Sequence, residues 1–295
     1  MSHATPSDIE VAKRRRWPLL AAIVAVVVIA ASAIFYANAR GDDRSFSTEL
    51  EVATWSTDIA AENLLAYIAE EIAPDHGITI KPVKIDNLVE INRAVDAGDV
   101  AGNFFQHQPF LNDAIAANGF ELELAAPVFT WDQASYSDKY DSWDEVPEGA
   151  TVALRDDPAG QAIALLDLAW SGQITLKPGK DTVAGLPQLS DIESNPKNYE
   201  FVQVPIGQLA RSLADVDVVV VHISDVYAAG LTEDQIIDRP EAPKGSEGGL
   251  VVSTRTSEDP NIKKLIETFS DERIAEFLET TDNDLIRDTL GPRTS

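Results

Sequence analysis

Apolar residues follow three rhythms along this chain. The first is unbroken: residues 19–36 are eighteen positions without a charge, led in by Trp17 and Pro18. A helix of about twenty residues spans ~30 Å, the hydrocarbon thickness of a bilayer, so a membrane-crossing segment is predicted over 17–36. The second rhythm is helical. Ile59, Leu64, Leu65, Ile68 and Ile72 recur at a 3.6-residue period in a stretch ending near Gly77. Residues 89–97 form a helix stopped by Gly98, and Pro109 sits in the first turn of one that runs to Gly119. Asp157 as N-cap and Pro158 as first helical residue open another, which Gly172 closes. Asp259-Pro260 begins the last, with Ile262, Leu265, Ile266 and Phe269 on one face. The third rhythm is extended: residues 50–53, the Ile78, Ile80 and Ile85 set, and a β-branched run over 218–221. A strand apolar at every position is covered on both faces, and its alternation with helices predicts an α/β fold on a parallel sheet.

Charge gives the first rhythm an orientation. Lys13-Arg14-Arg15-Arg16 stands before the apolar run, while Arg40, Asp42, Asp43 and Arg44 cancel behind it. The positive-inside asymmetry therefore puts the N-terminus in the cytoplasm and everything after residue 38 outside. Residues 1–16 are then a basic cytoplasmic N-terminus, 17–36 a transmembrane anchor or signal segment, and 37–48 a linker. Both readings of 17–36 stand, since Ala37-Asn38-Ala39 fits a cleavage site, although a signal's apolar core is usually only ~7–15 residues. The 295 residues are 44% apolar and 24% charged, enough for two domains with cores of their own. Residues 1–40 carry +3, so the rest of the chain carries −29 of the net −26. Such a surface repels phosphate backbones, which sets nucleic-acid binding aside. There is no cysteine, hence no disulfide, thiolate nucleophile, Cys-ligated zinc or lipid-bearing cysteine.

Catalytic machinery is not legible. The histidines His3, His76, His107 and His222 form no H-E-x-x-H pair, and neither G-x-S-x-G nor G-x-G-x-x-G occurs. The Gly172 to Gly179-Lys180 stretch has the wrong spacing for a phosphate loop. With forty-nine carboxylates, pairs such as Asp156-Asp157 and Glu70-Glu71 read as caps or solvated faces. No enzyme activity, catalytic residue, metal site or cofactor is expected.

Four segments in order carry a family likeness. Gly102-Asn103-Phe104-Phe105-Gln106-His107-Gln108-Pro109-Phe110-Leu111 resembles the "DANxFQHxPYL" signature of the NlpA/MetQ family, methionine-binding proteins of ABC importers. Tyr136-Ser137-Asp138-Lys139-Tyr140, with residues 146–153 after it, is similar to "YSxKY…DLPxGAxVAI". Asp157-Pro158 with Ala164-Leu165-Leu166 is similar to "NDPxNxxRALxLL", and residues 191–198 through 211–217 to "DIxxNPKN…PRSLxDVD". The likeness spans about residues 49 to 290.

The resemblance implies a class II periplasmic-binding-protein fold, two α/β lobes joined by a hinge over a ligand cleft. Lobe one is expected at 49–130 and 250–295 and lobe two at 131–249, with crossings near 129–135 and 249–253. It implies closure on a small solute, an amino acid, derivative or small peptide, and docking on an ABC permease driven by its ATPase. By the motif, Phe105, His107 and Phe110 line the pocket. The family's upstream tyrosine falls on Leu88, its carboxylate-gripping arginine on Ile163, and its strand-end asparagine on His222, with Ser224 two residues on. A charge-assisted hydrogen bond contributes ~1.5–3 kcal/mol, so losing that head-group grip implies methionine binding ~10–100-fold weaker. Arg155, the nearest other cation in sequence, reads as a solvent-facing strand end. A neutral or cationic ligand other than free L-methionine follows, held by Phe105, His107, Phe110 and His222, whose neutral ring both donates and accepts and, if unperturbed, titrates in the usual imidazole range. The alternative is a membrane-tethered sensor or scaffold that kept the fold without transport.

Overall fold

The computed structural model describes residues 45–292; the segments expected at 1–16 and 17–36, and the linker as far as residue 44, lie outside the described residues. Strands β1 (Glu49–Trp55), β2 (Thr79–Ile85) and β3 (Gly102–His107) alternate with helices α1 (Ile59–Tyr67), α2 (Leu88–Ala97) and α3 (Gln108–Asn118). β4 (Leu122–Trp131), β5 (Gln133–Tyr136) and β6 (Thr151–Arg155) lead to α4 (Pro158–Trp170). The short pair β7 (Thr175–Leu176) and β8 (Ile192–Ser194) precedes β9 (Glu200–Val204), α5 (Ile206–Leu209), β10 (Val218–His222), α6 (Ile223–Ala229) and β11 (Ile236–Asp238). The chain ends with β12 (Gly248–Ser253), α7 (Pro260–Phe269), α8 (Glu272–Thr280), α9 (Asp284–Thr289) and β13 (Leu290–Pro292). Among the described residues no helix is long and apolar enough to cross a membrane.

Two larger sheets organise these elements. One has the order β13-β4-β12-β3-β1-β2, the other β11-β5-β10-β6-β9. In both, successive side chains point to opposite faces, and both faces are covered. Val218 and Val220 enter one core while Val219 and Val221 enter another. Leu50 and Val52 of β1, Phe104 of β3, and Leu250 and Val252 of β12 share a core, whereas Ala53, Phe105 and Val251 face away from it. The purely parallel sheet that the sequence predicts is only half present. β2-β1-β3 and β10-β6-β9 are parallel, but β12 runs antiparallel to β3 and β4, and β5 antiparallel to β10 and β11. The cause is the path of the chain, which leaves the first sheet at Asp132 and returns over residues 239–247. β12 therefore pairs along its length within the first sheet and does not itself cross. Arg239 Nη2 and Asp132 Oδ2 lie 2.5 Å apart, tying the two crossings together.

Helix ends fall where the caps predict them. Asp157 Oδ1 accepts from Gly160 N–H at 2.9 Å, and Asp259 caps α7 from the same position. α1 departs from expectation: residues 68–72 widen into a π turn and 73–76 tighten around Pro74, before Gly77 ends the run at φ +69°. Its first residue, Ile59, is exposed rather than on the packed face.

Candidate functional site

Carboxyl ends of strands converge on one cavity that opens to solvent. Trp55, His107, Trp131, Arg155 and His222 all line it, and each is the last residue of its strand, in β1, β3, β4, β6 and β10. Helix starts complete the lining: Asp58 caps α1, Leu88 begins α2, Phe110 lies in the first turn of α3, Ile206 begins α5, and Ser224 and Asp225 lie in the first turn of α6. Both sheets contribute. Strand ends followed by helix starts place outward side chains and free backbone N–H groups together, the usual seat of a ligand in α/β sheets.

Aromatic rings make one wall. Phe105 and Phe110 meet edge to face at 6.0 Å, and His107 stands 6.4 Å from Phe110 and 6.0 Å from Trp131, again edge to face. His222 stacks on Trp131, with centroids 5.9 Å apart and planes 7° from parallel. The indole N–H donates to Asp58 Oδ2 at 2.8 Å, and Asp58 Oδ1 accepts from Ala61 N–H at 3.1 Å. A side chain at Gly248 would overlap the Trp131 ring, so glycine there leaves the ring its place. His107 caps α3: its Nδ1 accepts the Phe110 N–H at 3.2 Å, which leaves the proton of the neutral ring on Nε2. Burial first, and then the Arg155 charge, lower the His107 pKa to about 4. Burial, Arg155 and His107 together hold His222 well below the usual imidazole range, so its ring is not the unperturbed one.

The lining also carries charge. Arg155 is buried, and its Nε donates to Asp157 Oδ2 at 2.6 Å. Its two terminal nitrogens make no hydrogen bond among the described residues. Asp225 has no hydrogen-bond partner among them either, and burial raises its pKa to about 7, with Arg155 opposing the rise and Asp58 adding to it. Gln106 of the lining is tied to Asn92 and Asn103 through their amides, Asn92 Nδ2 to Gln106 Oε1 at 3.1 Å and Asn103 Nδ2 to Asn92 Oδ1 at 3.0 Å. Among the described residues no His, Cys, Asp and Glu group is arranged to hold a metal ion.

Residues 50–288 match the model of the NlpA lipoprotein family. The chain belongs to that family. It is 33% identical over 225 residues to D-methionine-binding lipoprotein MetQ of Escherichia coli K12, covering 74% of this chain and 81% of that protein. Lipoprotein 28 of the same strain is 30% identical over 229 residues, 76% of this chain and 82% of that one. Among solved structures, a Burkholderia cenocepacia nutrient binding protein bound to methionine superposes with TM-score 0.70 at 27% identity, covering 83% of this chain and all of that one. The crystal structure of the methionine binding protein MetQ gives TM-score 0.71 at 25% identity, over 83% and 98% of the two chains.

Set beside these NlpA relatives, the cavity brings together six of the seven residues singled out in the sequence: Leu88, Phe105, His107, Phe110, His222 and Ser224. Ile163 is the exception. It is buried in α4, whose residues from Ala159 to Leu168 are all buried, and it does not line the cavity. Arg155 departs in the other direction, since the strand end read as facing solvent turns into the cavity. Trp55, Asp58, Gln106, Trp131, Ile206 and Asp225 line it without having been singled out. Their common signal is the strand-end or helix-start position, which becomes visible once element boundaries are known.

Proposed function

We propose that this NlpA-family chain is the extracytoplasmic solute-binding subunit of an ABC importer of the methionine-uptake type. Its apolar segment 17–36 tethers it to the membrane, and a permease with its ATPase receives the loaded form. Residues 49–130 with 250–295, and 131–249, act as two lobes of a class II binding protein hinged where the chain crosses between sheets. Closure is a population shift, so the solute must contact both lobes to favour the closed state. The observation that carries this reading is the cavity lined jointly by strand ends of both sheets, with aromatic rings and a guanidinium among its lining.

The ligand is an amino-acid-like solute. Arg155 engages Asp157 through Nε alone, leaving its terminal nitrogens for a carboxylate, while Asp225 offers the countercharge for an ammonium. Arg155 thus supplies from β6 the guanidinium missing at Ile163, so the absence of arginine there no longer argues against a carboxylate. Because Asp157 already neutralises part of its charge, this arginine grips a carboxylate less firmly than an unpaired one does. More of the affinity then falls to the ring-lined wall, which favours a larger apolar or aromatic side chain over free L-methionine.

Calorimetric titration of the purified protein with a panel of amino acids tests this. The tightest ligand should be an amino acid of that kind, with L-methionine at least ~10-fold weaker. L-methionine as the tightest, submicromolar ligand would overturn the ligand assignment. Binding of no solute at all would overturn the transport reading and favour a sensor or scaffold.

A further inference from the structure

We propose that Gly160 is a specificity-determining position of this cleft: its missing side chain is the seat of the Arg155 guanidinium, and the arginine reaches the cavity because nothing else stands there. This inference rests on the amino-acid reading of the site given above. Arg155 ends β6 and Gly160 is the third residue of α4, so the arginine folds back over the start of the helix that follows its own strand. A Cβ built on Gly160 would overlap Nε, Cδ and Cζ of Arg155. Nothing in the backbone requires glycine at this place, since Gly160 is not among the positive-φ residues, and glycine weakens a helix relative to alanine. The three atoms nearest the space it opens all belong to the Arg155 side chain.

Asp157 completes the unit. One of its oxygens caps α4 by accepting from Gly160 N–H, and the other takes Arg155 Nε, so residues 155, 157 and 160 hold one another in register. The nearest overlaps of a Cβ at 160 are all with the flexible Arg155 side chain, so a side chain introduced there displaces the arginine. Gly160 is therefore a positioning residue: it acts on the solute through Arg155.

The test uses the full-length protein and matched probes, L-phenylalanine with phenethylamine, L-leucine with isoamylamine, and L-methionine with its decarboxylated amine. Each amine keeps the side chain and the ammonium and lacks only the carboxylate. In the wild type the acid of the best-binding pair should outbind its amine by at least ~10-fold. G160A should reduce that ratio about tenfold, towards the value in R155Q, with amine affinity kept within ~3-fold and the protein still folded by circular dichroism. In the R155Q background G160A should change nothing further, and G160S, which carries the same Cβ, should repeat the loss. A wild-type acid-to-amine ratio in both G160A and G160S, or additive losses in the double variant, would overturn the inference while leaving the amino-acid reading in place. A wild type that binds none of the six probes would overturn both.

Discussion

Asp225 is the residue whose chemistry changes most with conditions. Burial lifts its carboxyl to about 7, against the pull of Arg155, so it exchanges its proton near neutrality. An ammonium needs the ionised form. Affinity for an amino acid should therefore strengthen as pH rises to about 7 and level off above it, weakening by up to ~10-fold per unit on the acid side. The neighbouring imidazoles do not confuse this profile, because His107 is held at about 4 and His222 also well below neutrality. D225N should bind more weakly and with a flat profile between about pH 5.5 and 8.5 by calorimetry. Parallel profiles in the two proteins would remove Asp225 from the ammonium's partners. For the empty protein the sign is the reverse: the folded form keeps a proton that the unfolded chain loses above the ordinary carboxyl range. This residue's contribution to stability is present below that range and is lost as pH climbs through 7.

Among the elements, the tie between α2 and β3 shows what a buried amide network costs to disturb. Asn92 on α2 bonds both Gln106 and Asn103 on β3, and all three are buried. N92L would fill the space and strand the partner amides, which costs ~1–3 kcal/mol for each buried group left without a partner. A drop in the urea midpoint at unchanged slope, equivalent to at least ~2 kcal/mol, is expected; a loss under ~0.5 kcal/mol would mean that the amides re-pair. At this scale the sequence was largely legible. Asp157, Asp259 and the glycines at 98 and 119 mark helix ends because capping is a local matter of backbone groups and nearby side chains. The valine run over 218–221 declares a strand with two covered faces, yet it cannot declare which strands flank it. β5 arrives antiparallel because the chain turns back after Asp132, a fact of topology. Ile163 misleads for a related reason: a helix buried on almost every side has no polar face from which to tell the side nearest a cavity. Arg155 turns inward through a glycine five residues on, which no period of two or 3.6 reveals. The bond between Trp131 and Asp58 joins residues far apart in sequence and is invisible in either segment alone.

For the molecule as a whole, charge outweighs any one contact. The chain carries −26, forty-nine acidic side chains against twenty-three basic ones. Exposed pairs such as Lys81–Glu49 and Lys263–Glu258 contribute ~0–1 kcal/mol each and are themselves weakened by salt. Repulsion summed over such an excess is the larger quantity, and screening relieves it within a Debye length of ~10 Å at 0.1 M. The melting temperature should accordingly rise by several degrees from about 0.02 M to about 0.5 M sodium chloride, read by circular dichroism; a fall would show that local pairs dominate.

Trp131 ends the last strand before the chain changes sheets, its indole nitrogen bound to Asp58 beside one sheet and its ring laid on His222 of the other. Any parting of the two sheets at this point must unstack that ring or break that bond. The protein thus carries a native fluorophore at its own aperture, and a spectrometer could follow opening and shutting through ultraviolet emission with no dye attached.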